Sequence, residues 1–314
     1  MYGRGTQVKV STVTDALAAI SKTIELAGKR SPLYRDKEKY NLPLERLVEG
    51  FRREDPPPIP QLAVPISVPN QCFESGLQAN TKLEQAEGCL TLVAFYYLLR
   101  VGEYTKPRYI TRNGIQVPAT RTKQFLVNNV GFFKDGKIIP RTSSLETLLA
   151  CDAATLKISN QKNGRMGDTI HQNSTGTPNC PVRALALRVH HILSNGGATN
   201  ALLCSVFTEK GQWEFVTAKD IITTVRAAAR KLNLQEQAID PDLIGAHSLR
   251  AGGAMALKLH GFDDTTIMKM GRWTSLTFTQ YIHTQIAHLS KDISRKMSME
   301  LPFLNIAAIE TDGS

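Results

Sequence analysis

Between Gly245 and His283 the sequence GAHSLRAGGAMALKLHGFDDTTIMKMGRWTSLTFTQYIH gathers side chains suited to handling a phosphate. His247 and Arg250 stand three apart at the expected start of a helix, so both project from one face toward a common point. Such an N-terminus adds backbone N–H groups and the positive end of the helix dipole, and both suit an anion. Farther along, Trp273 offers an indole N–H and Tyr281 a phenol that becomes a nucleophile once its proton is removed. Taken singly each residue has a plainer reading: a core histidine, a surface charge, a packing aromatic. Their order and spacing set them apart.

The elements that must position these groups are legible in outline. Val13, Leu17, Ile20 and Ile24 form one face of a helix over 12–27, closed by Gly28. A second helix is expected at 43–53, with Pro43 at its first position and Leu44, Leu47, Val48 and Phe51 as its apolar stripe. The stretch DPPPIPQLAVPISVPN, residues 55–70, holds six prolines and reads as an extended linker between domains. A helix over 82–99 runs into Arg100, and strand-like segments follow at 123–139 around an Asp135-Gly136 turn. A second hairpin, TLKISN to GDTIHQ, turns through Lys162, Asn163 and Gly164. From Pro181 the chain reads as helical almost to its end. Thr217 and Asp220 make a capping box, Gly196 and Gly261 are stops, and Ser275 caps the helix that carries Tyr281.

Composition narrows the class. A chain of 314 residues, 42% apolar and 21% charged, has enough apolar side chains for a sizeable core and more than one domain. It has no run of about 18 apolar residues and no signal-like amino terminus, so an intracellular address is the default expectation. Five scattered cysteines without a C-x-x-C pair read as buried free thiols. The histidines lack metal-ligand spacing, so no metal is expected. A net charge of +10 favours a polyanionic partner.

The segments H-S-L-R at 247–250 and G-R-W at 271–273, with a tyrosine eight residues after the tryptophan, resemble the second and third active-site boxes of the tyrosine recombinases, or integrases. The G-R-W form is most similar to the recombinases of eukaryotic Crypton, Ngaro and DIRS elements. L-L-R-V-G-E at 98–103 resembles the first box, which makes Arg100 its arginine and Glu103 the acid that orients it. Lys162 sits in the hairpin turn where the family carries its catalytic lysine. The resemblance, over residues 70 to 295, implies a catalytic site of Arg100, Lys162, His247, Arg250, Trp273 and Tyr281, supported by Glu103 and His283.

That resemblance implies a fold that is mainly α with a small antiparallel β-sheet. Its domains would be a short, incomplete helical DNA-clamping segment at 1–54, the linker at 55–70, and a catalytic domain at 71–314 with a helical tail. The expected activity is DNA strand breakage and rejoining through a 3′-phosphotyrosine, serving a mobile element in the nucleus. The expected partner is double-stranded DNA, bound by a homo-tetramer, with no cofactor and no membrane. Two alternatives remain open: a DNA-binding relative that no longer cuts, and an enzyme like the type IB topoisomerases.

Overall fold

A computed structural model describes residues 8–35, 39–55, 62–112, 114–119, 123–158, 167–237, 239–276 and 279. The chain divides into two compact units, Met1–Ile59 and Pro60–Ser314. The first unit holds α1 (Val10–Leu26) and α2 (Leu42–Glu54). The Asn41 side chain caps α2 by accepting from the Leu44 amide, and Pro43 lies in its first turn, where a missing N–H costs nothing. Asp55, just past α2, accepts from the Val10 amide at 3.0 Å and so joins the end of one helix to the start of the other. Among the described hydrophobic residues of this unit, only Val10 and Val48 are buried.

The second unit is built around one buried helix. It begins with α3 (Ser67–Gln78) and α4 (Lys82–Tyr96), and every residue of α4 from Ala86 to Phe95 is buried. Thr81 caps α4, and Gly88 lets it approach α3 closely: a Cβ there would lie 2.6 Å from the Cys72 carbonyl oxygen. The short α5 (Val101–Tyr104) leads to a two-stranded hairpin, β1 (Tyr109–Arg112) and β2 (Ile115–Pro118). A four-stranded antiparallel sheet follows in the order β4-β3-β5-β6: β3 (Val130–Lys134), β4 (Lys137–Ile139), β5 (Ala153–Lys157) and β6 (Thr169–Asn173). The short α6 (Leu145–Leu149) lies between β4 and β5. Beyond the sheet come α7 (Pro181–Ser194), the hairpin β7 (Ser205–Phe207) and β8 (Trp213–Phe215), α8 (Ala218–Lys231), α9 (Ser248–Leu259) and α10 (Asp264–Gly271). α4 packs against α3, α7, α8 and α9.

The expected class is the one observed, mainly α with small antiparallel sheets. The β3–β4 turn forms at Asp135 and Gly136, both at positive φ, and β5 pairs with β6 in the expected hairpin. Gly196 and Gly261 end their helices at φ +81°, and Thr217 with Asp220 makes the capping box of α8.

Three features differ from expectation. The stretch after Pro181 is interrupted by β7 and β8, whose short Ser-Val-Phe and Trp-Glu-Phe runs flank a turn at Gly211, φ +72°. Three-residue strands are too short to show a period. The β1–β2 hairpin, turned at Gly114, was not anticipated. The residues placed at the end of a proline linker also belong to the second unit: Val64 and Val68 are core residues, and Pro69 sits in the first turn of α3, which needs no amide donor there.

Candidate active site

α4 stops at Tyr96, two residues before Leu98, because Leu98 turns to φ +50°, a left-handed conformation that costs a non-glycine residue about 1 kcal/mol or more. That turn points the Leu98 carbonyl at two guanidinium groups. Arg250 Nη1 donates to it, and Arg272 Nη2 donates to it at 3.0 Å. Two residues later Arg100 forms the N-cap of α5, and its amide donates to Glu103 Oε2 at 2.8 Å. The Arg100 side chain reaches Glu103 Oε1 through Nη1 at 3.3 Å and remains 24% exposed.

Arg250 comes from α9, whose start is fixed by hydrogen bonds both near and distant in sequence. His247 is the N-cap, the Ser248 hydroxyl accepts from the Gly245 amide, and the Ser248 carbonyl accepts from the Val64 amide. Gly252 and Gly253 then bring α9 onto the chain around Val64 and onto α4. A Cβ on Gly252 would lie 2.1 Å from the Val64 oxygen, and one on Gly253 would lie 2.4 Å from the Phe95 oxygen. This close approach lets Arg250 reach Leu98. Its other terminal nitrogen, Nη2, donates to the Gly271 carbonyl at the end of α10, and the Trp273 ring lies over its guanidinium at 4.2 Å.

Each letter of G-R-W therefore has a physical reason. Gly271 leaves room for the indole, since a Cβ there would lie 1.7 Å from Trp273 Cζ3. Arg272 turns left-handed at φ +58° to end α10 and sends its guanidinium inward. Trp273 covers Arg250. Arg272 meets Glu103 in a fork, Nη1 to Oε1 and Nη2 to Oε2, both at 3.0 Å, with both side chains 2% exposed. Burial pushes the Glu103 carboxyl up, but the charge and hydrogen bonds of Arg272, then the amide and charge of Arg100, outweigh it. The carboxyl is held below the usual carboxylate range.

The site expected from sequence is partly placed by these contacts. Arg100, Glu103, Arg250 and Trp273 come together, and His247 stands at the start of the same helix as Arg250. Lys162, Tyr281 and His283 lie outside the described residues, as does the helix expected after Ser275. One expectation is revised: Arg250, which the sequence offers as a phosphate-handling side chain, does not lie open at the surface. It is 1% exposed and donates to two main-chain carbonyls, because the close approach of α9 to α4 carries it beneath Trp273. Arg272 is not among the site residues that the sequence offers. A signal existed, since an acid destined for burial beside one partly exposed arginine needs a second cation. Locating that cation required knowing that the residue after Gly271 turns inward.

No family model matches the chain, and no curated protein does. Solved structures similar to it include the XerA recombinase, at a TM-score of 0.44 and 12% identity, with 95% of this chain and 86% of that one covered. The Tn1549 transposon integrase in complex with circular intermediate DNA gives 0.44 and 12%, covering 93% and 80%. The XerH site-specific recombinase bound to its difH substrate gives 0.43 and 10%, covering 93% and 71%. Likeness at this level transfers none of their activities to this chain.

Proposed function

We propose that this chain cuts and rejoins double-stranded DNA as a tyrosine recombinase serving a mobile element, with Tyr281 as nucleophile. The observation that carries the reading is the joining of three distant segments, 98–103, 247–250 and 271–273. Arg250 and Arg272 reach Leu98 across 152 and 174 positions of sequence, and Arg272 also grips Glu103. Packing alone would not require three guanidinium groups to meet around one carboxylate and one carbonyl. A centre that offers the exposed Arg100 to an anion, with buried cations behind it, would use all three.

In this mechanism the Tyr281 oxygen attacks a phosphorus of the DNA backbone, and the bond from phosphorus to the 5′-oxygen breaks. The products are a 3′-phosphotyrosine and a 5′-hydroxyl. The Tyr281 phenol first gives its proton to solvent, at a cost of about 4 kcal/mol at neutral pH in an ordinary setting, which the positive field of the arginines reduces. Arg100 donates to the non-bridging oxygens as charge gathers on them, with His247 and Trp273 as further donors. Arg250 adds its charge from beneath Trp273. Lys162 returns a proton to the departing 5′-oxygen. The covalent link conserves the ester, so a second 5′-hydroxyl attacking in reverse completes the exchange, and a tetramer on paired DNA supplies the four sites.

The test is a nicked duplex whose short 5′-hydroxyl fragment diffuses away after cleavage. The unmodified chain should accumulate as a denaturant-resistant covalent adduct without added metal or ATP, and Tyr281→Phe should form none. Adduct from the phenylalanine variant would assign the nucleophile elsewhere. Binding without any adduct would favour a DNA-binding relative that does not cut.

A further inference from the structure

We propose that Arg272 is a positioning residue for strand cleavage, occupying Glu103 so that the charge of Arg100 stays available to the phosphate. This rests on the reading above. Arg272 does not touch substrate: its side chain is 2% exposed. Glu103 is equally buried, and each of its oxygens accepts twice, Oε1 from Arg100 Nη1 and Arg272 Nη1, Oε2 from the Arg100 amide and Arg272 Nη2. The two contacts from Arg272 are a fork at 3.0 Å, whereas the Arg100 side chain makes one contact at 3.3 Å. The carboxylate charge is thus met mainly by Arg272. Arg100 is steered by Glu103 without being neutralised by it, and of the two guanidinium groups on that carboxylate it is the one that reaches solvent.

The backbone supports the assignment. Arg272 holds a left-handed conformation that glycine adopts more easily, and the residue before it is a glycine. A side chain is kept at the strained position because the fork to Glu103 and the bond to the Leu98 carbonyl require one. Without Arg272, the only described cation left on Glu103 is Arg100, which would be drawn into a full ion pair and away from the phosphate.

The experiment times adduct formation by the full chain on two nicked duplexes, with duplex affinity and thermal stability measured in parallel. One has the ordinary phosphodiester at the cleavage position. The other has a methylphosphonate, in which a methyl group replaces the charged oxygen. Arg272→Met should slow adduct formation on the phosphodiester by roughly tenfold to a hundredfold, by analogy with the loss of an outer-shell partner that orients a metal ligand. Its Kd for duplex should be unchanged. On the methylphosphonate the loss should largely vanish, because there is less charge for Arg100 to meet. Adding Glu103→Gln to Arg272→Met should recover part of the rate on the phosphodiester, since an amide does not compete for Arg100.

A purely structural role predicts equal losses on both duplexes, and that result would overturn the inference, as would a double variant no faster than Arg272→Met. In both cases Tyr281 chemistry in the unmodified chain still stands. If the unmodified chain forms no adduct, the functional reading falls and this inference falls with it. Arg272→Lys, which keeps the charge without the fork, carries the same substrate comparison if the methionine variant does not fold.

Discussion

Two carboxylates are buried near opposite ends of α4, and they behave in opposite ways. Glu87, in the first half of the helix, is 8% exposed, and Glu103, in α5 seven residues past its end, is 2% exposed. Burial is the largest influence on both and raises both. At Glu87 the Thr224 hydroxyl pulls the other way but is outweighed, and the acids Asp220 and Glu84 add to the rise. At Glu103 the two arginines reverse the direction. Depth in the fold therefore does not decide what a buried acid does; the donors that meet it do. One end of α4 carries an acid whose burial raises its pKa and which accepts from the Thr224 hydroxyl. The other carries an acid kept ionised, which can hold a cation in place.

The largest test of this contrast is Glu103→Gln. It preserves shape but leaves Arg272 buried without its counterion, so a loss of about 3–5 kcal/mol is expected at neutral pH, read by urea denaturation. The folded carboxyl lies below its unfolded value, so its contribution is complete above the ordinary carboxylate pKa and is lost as pH falls through the folded value. The gap between the unmodified chain and the variant should narrow on acidification. A gap below about 1 kcal/mol at pH 7 would mean that the fork adds no more than a surface pair.

The two ends also differ in what close packing serves. Gly88 brings α4 onto α3, and Gly253 brings α9 onto the last turn of α4. Gly88→Ala places a Cβ 2.6 Å from the Cys72 oxygen, and Gly253→Ala places one 2.4 Å from the Phe95 oxygen and 2.8 Å from Leu98 Cδ2. Each should destabilise by about 1–3 kcal/mol, the usual range for overpacking. Only Gly253→Ala should also slow adduct formation per folded molecule, because it displaces α9 and with it the contact between Arg250 and Leu98. Equal rates in the two variants would separate the α9 contact from the chemistry.

The same contrast explains what could be read from the sequence. Helices with a clear apolar face or a cap, such as α2 and α8, were legible within a few residues, since local chemistry sets their ends. So were the Asp135-Gly136 turn and the grouping of Arg100 with Glu103, only three apart. The strands β7 and β8 were not, because three residues carry no period, and Val64 and Val68 were hidden among prolines. The orientation of Arg250 and the partner of Glu103 were not legible either. Both depend on contacts made across 152 and 169 positions of sequence. The glycines that permit one and the left-handed turn that creates the other act only once the helices have packed.

The smallest effect is expected at the other acid. Glu87→Gln keeps the volume, and the amide oxygen can still accept from the Thr224 hydroxyl, so the hydrogen bond survives while the charge goes. The folded carboxyl titrates above its unfolded value, so the native state holds the extra proton between the two, and Glu87 loses stability as pH rises through that window. The variant should match the unmodified chain at acidic pH and equal or exceed it at neutral pH, by less than about 1 kcal/mol. This slope with pH is opposite in sign to that expected of Glu103→Gln. Urea denaturation of both variants across the acid to neutral range measures the two slopes together. Destabilisation by Glu87→Gln that grows toward neutral pH would show that Glu87 is held ionised by a cation after all, and the contrast between the two ends of α4 would be lost.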